Sequence, residues 1–440
     1  MKSANKRIVT HITVLFIIFV LFARIFFIPW IIGDGLHYYA TLRSFVIDGD
    51  INFKNEYSYF RTLNRGAVVD PNYKTVTGLA HNQWAVGNAI FWSPFFLMAH
   101  ISEILHGGKA DGYSQTYYNF VTFGTLIFSF LSLILVYLFL KKFVRDSIAL
   151  LATTAIFICS TLFYYTFYDP SMSHVFSMFT VSSFLYYWYI THRKGKLHQY
   201  IFLGFLAGLM MLSRWQNGLF MTVVLYEFFD IVAEKDFFRF LLHIGRVTCF
   251  LIIAGITFLP QMIFWKVLYG SYLTVPIPEF EFYWYPRYFL NMLFSLRHSL
   301  LAWTPLVIFS LGGFYFMFKE NRKLALYFGI PLILQMLFIS GTSVWDGSWS
   351  YGIRMLTSCT LIFAIGLAFL VKELNKKFSL GIICLCLSPF ILWNILLMAQ
   401  IHYYHFLIDP EYPFYEIAVN QIKIAPKLLV RLLCSKFGTL

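Results

Sequence analysis

The chain has 440 residues, of which 59% are hydrophobic and only 12% charged, with a net charge of +13. That composition excludes a soluble globular domain and a disordered segment, both of which need far more polar surface. The positive charge does not mark a nucleic-acid binder, because it is divided among short loops between apolar runs. Lys141, Lys142 and Arg145 form one such loop. Arg193, Lys194 and Lys196 form a second, and Lys235, Arg239 and Arg246 a third. Lys319, Arg322 and Lys323 follow, then Lys372, Lys376 and Lys377. Loops of this kind are expected on the cytoplasmic side of a membrane protein.

Apolar runs of about 15–25 residues recur from Ile8 to Gln400, near the ~20 residues that a spanning helix requires. The expected fold class is therefore an all-α polytopic membrane protein with about 11–13 transmembrane helices. The first run, Ile8–Ile32, is too long for a cleaved signal peptide and has no small-x-small cleavage site. Residues 33–83 then form a long first outer loop with juxtamembrane helices. Its beginning reads GDGLHYYATLRSFVIDGDINFKNEY, with four carboxylates. A carboxylate placed directly after a span can reach a substrate anchored in the membrane.

Trp84–Leu105 carries Pro94 in mid-run and is interrupted by Asn88, His100 and Glu103. Strict alternation of sides requires one crossing before Lys141 to fail, so either this run is re-entrant or tilted, or one basic loop breaks the rule. Phe120–Leu140 spans. Spans near 148–168 and 172–191 place DPSMSH (Asp169–His174) outside. Tyr200–Val232 is expected to cross twice, with its polar break Ser213–Asn217 on the outer side. Each half has only ~21–24 Å of helix, so the break should dip toward a polar cavity. The outer loop Tyr269–Ser299 precedes spans near 300–318 and 324–341. SVWDGSWSYGIR (Ser343–Arg354) is outside again, and spans near 355–371 and 379–400 complete a single transmembrane domain, 1–400. Residues 401–440 form a short interfacial tail, with Lys423, Lys427 and Arg431 on its amphipathic segment. The six cysteines read as small buried hydrophobes, with neither a disulfide framework nor metal-site spacing.

Apart from the basic loops, ionisable residues are rare, and this topology turns Asp34, Asp48, Asp50, Asp169, His174, Arg214, Arg297, His298, Asp346 and Arg354 toward one compartment. Charged groups at membrane depth are costly and commonly functional. Asp34 reads either as a helix N-cap or as a catalytic carboxylate, with Gly33 and Gly35 leaving room for a ligand. Asp48-Gly49-Asp50 reads as an acidic triplet or as an ordinary turn. Arg214 and Arg354 either snorkel or offer a bidentate fork to phosphate. Arg297 and His298 are interfacial anchors or phosphate ligands. His174 either binds substrate or bonds within the bundle. Tyr38, Tyr39, Trp345 and Trp349 are placed to stack on a sugar.

Gly33-Asp34-Gly35 with Tyr38-Tyr39, Arg43-Ser44 and Asp48-Gly49-Asp50 resembles the first outer loop of the GT-C glycosyltransferases. That superfamily includes the dolichyl-phosphate-mannose-dependent mannosyltransferases and the aminoarabinose transferases. The resemblance continues through GLAHNQWAVGNAIFWSPFF, DPSMSH, GLMMLSRWQN, LFSLRHSLLAWTP and the Trp345, Gly347, Tyr351, Gly352 and Arg354 pattern, over roughly residues 1–400. No soluble C-terminal domain is expected, unlike in the best-known members. Asp34-Gly35 stands where many relatives have Asp-Glu, leaving Asp48 or Asp50 for a second acidic role. The resemblance implies inverting transfer of a sugar from a polyprenyl-phosphate donor to a hydroxyl of a lipid, glycan or protein. Asp34, with Asp48, would be catalytic. Arg214, Arg354, Arg297 and His298 would bind the donor phosphate, and Tyr38, His174 and Asp346 the substrate. No cofactor or metal is indicated, although a divalent ion fits such chemistry. The site would face the periplasm or exterior of a bacterial inner membrane. A transporter or flippase and a polysaccharide polymerase or ligase are the alternatives. The first of these usually shows repeats or paired broken helices, and this sequence shows neither.

Overall fold

The computed structural model describes residues 2–63, 68–192, 194–228, 237–277 and 280–438. Among them the regular structure is helical, and the only β pairing is two isolated bridges, Lys74 with Ala80 and Phe282 with Thr342. Among the described residues, six helices are long and apolar enough to cross a membrane: Lys6–Phe26, Gln115–Leu140, Phe237–Tyr269, Arg322–Ser340, Arg354–Leu374 and Leu380–Tyr403. A pair bent by 69°, Asp146–Ile158 with Thr161–Phe167, makes a seventh. The further crossings expected from the apolar runs fall on His174–Thr191, Leu197–Ser213 and Pro305–Glu320, and the run expected to be re-entrant or tilted falls on Gly87–Leu105. These are shorter or more polar than the six. Arg193 and Lys235 lie outside the described residues. Arg239 and Arg246 sit within the helix Phe237–Tyr269, so the third basic loop is partly a helix end.

The chain divides into two units. The first comprises residues 1–28, 130–168 and 281–440. Its centre is the helix Thr360–Leu374, buried almost throughout. Pro305–Glu320 packs on it where Gly313 meets Gly366, and a Cβ at either position would run into the other helix's backbone. In lipid such small-residue contacts substitute for the hydrophobic effect, which supplies no drive between helices there. The tail forms two helices, Phe414–Lys423 and Ala425–Phe437. Ile417, Ala425, Leu428 and Leu432 face inward, and Gln400 and Gln421 tie the tail to the last span. Lys423, Lys427 and Arg431 stay exposed, as the amphipathic pattern requires.

The second unit comprises residues 29–129 and 169–280. Its core is aromatic and holds the outer loop against the helices. Tyr39, Tyr57, Phe60, Trp92, Phe96 and Tyr117 are fully buried in one cluster with Phe264 and Leu268. The helices Leu197–Ser213 and Phe237–Tyr269 make the most extensive pairing here. Gly204 and Gly208, four residues apart in GFLAG, lie against the backbone carbonyls of Phe250 and Ala254. At Arg214 the chain becomes extended (φ −157, ψ 115) and continues as a 3-10 helix over Trp215–Val224. Runs of this helix beyond 3–4 residues are uncommon. Asn217 holds the break by donating to Ser177 Oγ (2.8 Å) and the Met210 carbonyl (3.1 Å). The expected break at Ser213–Asn217 is thus present, and the return is wound tighter than an α-helix. Its far end, Val232, lies outside the described residues.

Candidate active site

The first outer loop folds into the helices Asp34–Arg43 and Lys54–Thr62, joined by a π-helical turn over Ser44–Asp48. Gly33, at φ +52, occupies the N-cap without a side-chain cap bond, so Asp34 opens the first helical turn instead of capping it. Gly35 explains the second glycine. A Cβ there would fall on the Ser171 side chain. Ser171 Oγ in turn accepts from Ile32 N–H (3.3 Å) and donates to Asp169 Oδ1 (2.7 Å). The segment Asp169–Ser173 is therefore moulded onto the start of the Asp34 helix.

From there a polar chain leads to Arg214. Tyr38 lies one turn after Asp34 on the same helix face. Its hydroxyl donates to Ser173 Oγ at 3.1 Å. Arg214 Nη1 lies 3.4 Å from that same oxygen and 3.4 Å from His174 Nδ1. A guanidinium only donates, so His174 Nδ1 is the acceptor. Asp34, Tyr38, His174 and Arg214 are thus gathered on one side of the second unit. One helical turn and two hydrogen bonds separate the carboxylate from the guanidinium. Asp34 and Arg214 are partly exposed, whereas Tyr38 and His174 are buried.

Asp48 belongs to a different cluster. The buried Arg43 places Nη1 2.6 Å from both Asp48 Oδ2 and Glu56 Oε1, Nε on the Asp111 carbonyl (2.8 Å), and its guanidinium 4.0 Å over the Tyr113 ring. Asn55 also donates to Asp48 Oδ2 (2.8 Å). Burial pushes the Glu56 carboxyl up to about 7, and its hydrogen bond with Asp48 adds to this, against the pull of Arg43. Partial burial opposes the charge on Asp48, but Asn55, Glu56 and Arg43 together hold it below the usual range. One cation thus serves two carboxyl groups. Asp50 accepts from Ser44 Oγ (2.7 Å) and Asn52 N–H (3.0 Å). With Gly49 at φ +72, the Asp48–Asp50 triplet has the form of a turn. No group of three or more His, Cys, Asp or Glu among the described residues is arranged to hold a metal.

In the first unit, Arg297, His298, Asp346 and Arg354 come together. Arg297 Nε pairs with Asp346 Oδ2 at 2.7 Å, and the other carboxylate oxygen accepts from Ser348 N–H. His298 is buried with φ +50, a strained conformation for a non-glycine residue. Its ring nitrogens lie 3.2 Å from the Asp346 and Ile408 carbonyls. Burial lowers its pKa to about 4 despite the nearby Asp346 charge. The neutral ring can donate to only one of the two carbonyls. Arg354 follows the turns at Gly347, Ser348 and Gly352, and its side chain packs against Gly347.

Glu56 has no role in the sequence reading, and Arg43, Ser171 and Ser173 enter it only within the Arg43-Ser44 and DPSMSH motifs, with no role of their own. The short spacing of Arg43 and Glu56 within one acidic loop is a signal for the first two. The two serines of DPSMSH carry no signal beyond their place beside Asp169.

Residues 119–258, under half of the chain, match the model of the dolichyl-phosphate-mannose-protein mannosyltransferase family. No curated protein sequence matches significantly. Among solved structures the chain resembles ArnT from Cupriavidus metallidurans in the apo state. The TM-score is 0.51 at 12% identity, over 99% of this chain and 78% of that one. It also resembles the Archaeoglobus fulgidus oligosaccharyltransferase in the apo form, with TM-score 0.50 at 13% identity over 96% of this chain. There it spans 56% of the relative's length. These likenesses run along nearly the whole of this chain. The chain is a multi-pass membrane protein with the GT-C glycosyltransferase fold.

Proposed function

We propose that this chain is a glycosyltransferase that moves a sugar from a polyprenyl-phosphate donor to a hydroxyl acceptor at the outer face of the membrane. The observation that carries the reading is the seating of Asp34. It opens the first outer helix after the span Lys6–Phe26, beside Gly35, which packs on Ser171, and one turn before Tyr38, whose bond to Ser173 leads to Arg214. In this reading Asp34 takes the proton of the acceptor hydroxyl. The acceptor oxygen bonds the anomeric carbon as the bond from that carbon to the phosphate oxygen breaks, with inversion through an oxocarbenium-like state. The polyprenyl phosphate leaves with the bond's electron pair, and Arg214 balances its growing charge. His174 and Ser173 hold Arg214, Tyr38 holds Ser173, and Tyr38 and His174 bind substrate in this reading. Asp48, already engaged by Arg43 and Asn55, acts on the placement of the loop. Arg354, Arg297 and His298 are proposed for donor phosphate and Asp346 for substrate, each to be tested separately. The acceptor is a lipid, glycan or protein, and in a bacterial inner membrane the site faces the periplasm or exterior.

The test is a transfer assay on protein reconstituted in liposomes. It offers polyprenyl-phosphate sugars and, in parallel, nucleotide sugars to a panel of hydroxyl acceptors. Release of polyprenyl phosphate with a β-to-α or α-to-β change at the anomeric carbon is expected. Turnover with nucleotide sugars alone would overturn the donor class, and retained configuration would overturn the single displacement.

A further inference from the structure

A cavity of about 650 Å³ opens in the first unit between the loop 141–145 and the end of the helix Thr360–Leu374. Its walls carry Lys141, Lys142, Arg145, Lys372 and Lys376 together with Asn375, above an apolar base that includes Val144 and Ile148. Basic loops at helix ends are ordinary topology signals, and that rule asks only that they lie on one side of the membrane. Here two basic loops more than 200 residues apart in sequence line one cavity. Arg145 donates to the Asn375 side chain, and Lys372 Nζ reaches the Phe143 carbonyl at 3.5 Å.

Three of the five cations have carboxylate partners. Lys141 pairs with Asp146 (3.4 Å), Lys372 with Glu320 (2.5 Å) and Lys376 with Glu373 (2.7 Å). Lys142 has no ion pair among the described residues, and the partner of Arg145 is a neutral amide. The cavity therefore keeps two uncompensated positive charges. One of them is a guanidinium held by Asn375, a group whose planar fork suits phosphate oxygens. The helix Asp146–Ile158 begins at the same wall and adds the positive end of its dipole. Lys372 lies 18 residues beyond Arg354 along the span Arg354–Leu374, about 27–30 Å of helix, so this cavity is distinct from the Arg354 cluster.

We propose that this cleft binds a phosphate group, as in an anionic phospholipid headgroup whose acyl chains lie on the apolar base. Basic pockets at helix ends on the cytoplasmic side have the charge and shape for such headgroups. The test uses the whole purified chain in neutral detergent, with native mass spectrometry and thermal melting. The probes are phosphatidylglycerol, phosphatidylcholine and inorganic phosphate. Two double variants are compared with the parent: Lys142→Gln with Arg145→Gln, and Lys142→Gln with Lys376→Gln. The second keeps the Arg145–Asn375 contact and guards against misfolding of the first. Phosphatidylglycerol should bind the parent one to one in preference to phosphatidylcholine. That preference should fall roughly thirtyfold on removal of two charges. Stabilisation by inorganic phosphate, lost in the variants, would equally support the site and would identify a soluble source. Equal binding of both lipids with no response to phosphate, or a preference unchanged in both variants, would overturn it.

Discussion

At the scale of single residues, Asp34 and Arg43 illustrate two uses of charge in one loop. Asp34 is partly exposed at the start of its helix, next to the polar chain leading to Arg214. Asp34→Asn should lower turnover by about 10²–10⁴-fold, the usual worth of a general base, while melting temperature holds. Arg214→Ala should lower kcat more than Arg214→Lys does, because the lysine keeps the charge and loses only the fork. Equal effects on KM alone would assign Arg214 to ground-state binding. Arg43 is buried between Asp48 and Glu56, and its removal leaves carboxyl groups without their cation. Arg43→Ala should cost about 3–5 kcal/mol of stability, read from thermal or denaturant unfolding. The pair also sets a pH dependence. The folded state raises the Glu56 carboxyl from 4.5 to about 7. Its stabilising contribution is therefore complete below about 4.5 and is lost as pH rises through about 7. Asp48 has the opposite sign, its contribution being lost only as pH falls below its ordinary 3.8. Melting temperature should decline between pH 5 and 8 in the parent, scanned in steps of about half a unit. Glu56→Gln should flatten that decline. The nearness of Arg43 and Glu56 is legible in the sequence, but their burial and pairing are not, because charge spacing in a loop does not specify which side chains turn inward.

At the scale of elements, glycines decide the close approaches. Gly35 admits Ser171, Gly204 and Gly208 admit the helix Phe237–Tyr269, and Gly313 admits Gly366. Gly35→Ala should displace the Asp169–Ser173 segment and reduce transfer. Gly35→Ala combined with Ser171→Gly should recover part of it, which a fluorescence-detected melt and the transfer assay would both register. The GFLAG spacing at 204–208 is readable as a helix-contact signal. Gly35 reads only as room for a ligand until the position of Ser171 is known. The polar break after Ser213 is likewise readable from SRWQN. The ten-residue 3-10 helix that follows is not, since its form depends on Asn217 reaching Ser177 and Met210.

At the scale of the whole molecule, the all-helical GT-C fold follows from apolar runs and the order of motifs, both local properties of the sequence. The number of crossings is less legible. Several runs expected to span are helices too short or too polar to qualify on their own, His174–Thr191 and Leu197–Ser213 among them. Polar residues such as Ser177, Thr180 and Gln199 are buried in them, and a hydropathy window counts such residues against a span. The candidate site is partly legible for a similar reason. Rarity of charge in an apolar chain marks Asp34, Arg214, Arg297, Asp346 and Arg354. Their grouping into an Asp34–Arg214 set and an Arg297–Asp346–Arg354 set depends on folding.

The measurement that bears most directly on the central claim is polyprenyl-phosphate release by the parent and Asp34→Asn in the same liposomes, with a matched donor and acceptor. The account predicts acceptor-dependent release by the parent and a loss of at least about a hundredfold in the variant, at equal protein and equal melting temperature. Release by Asp34→Asn at the parent's rate would contradict it.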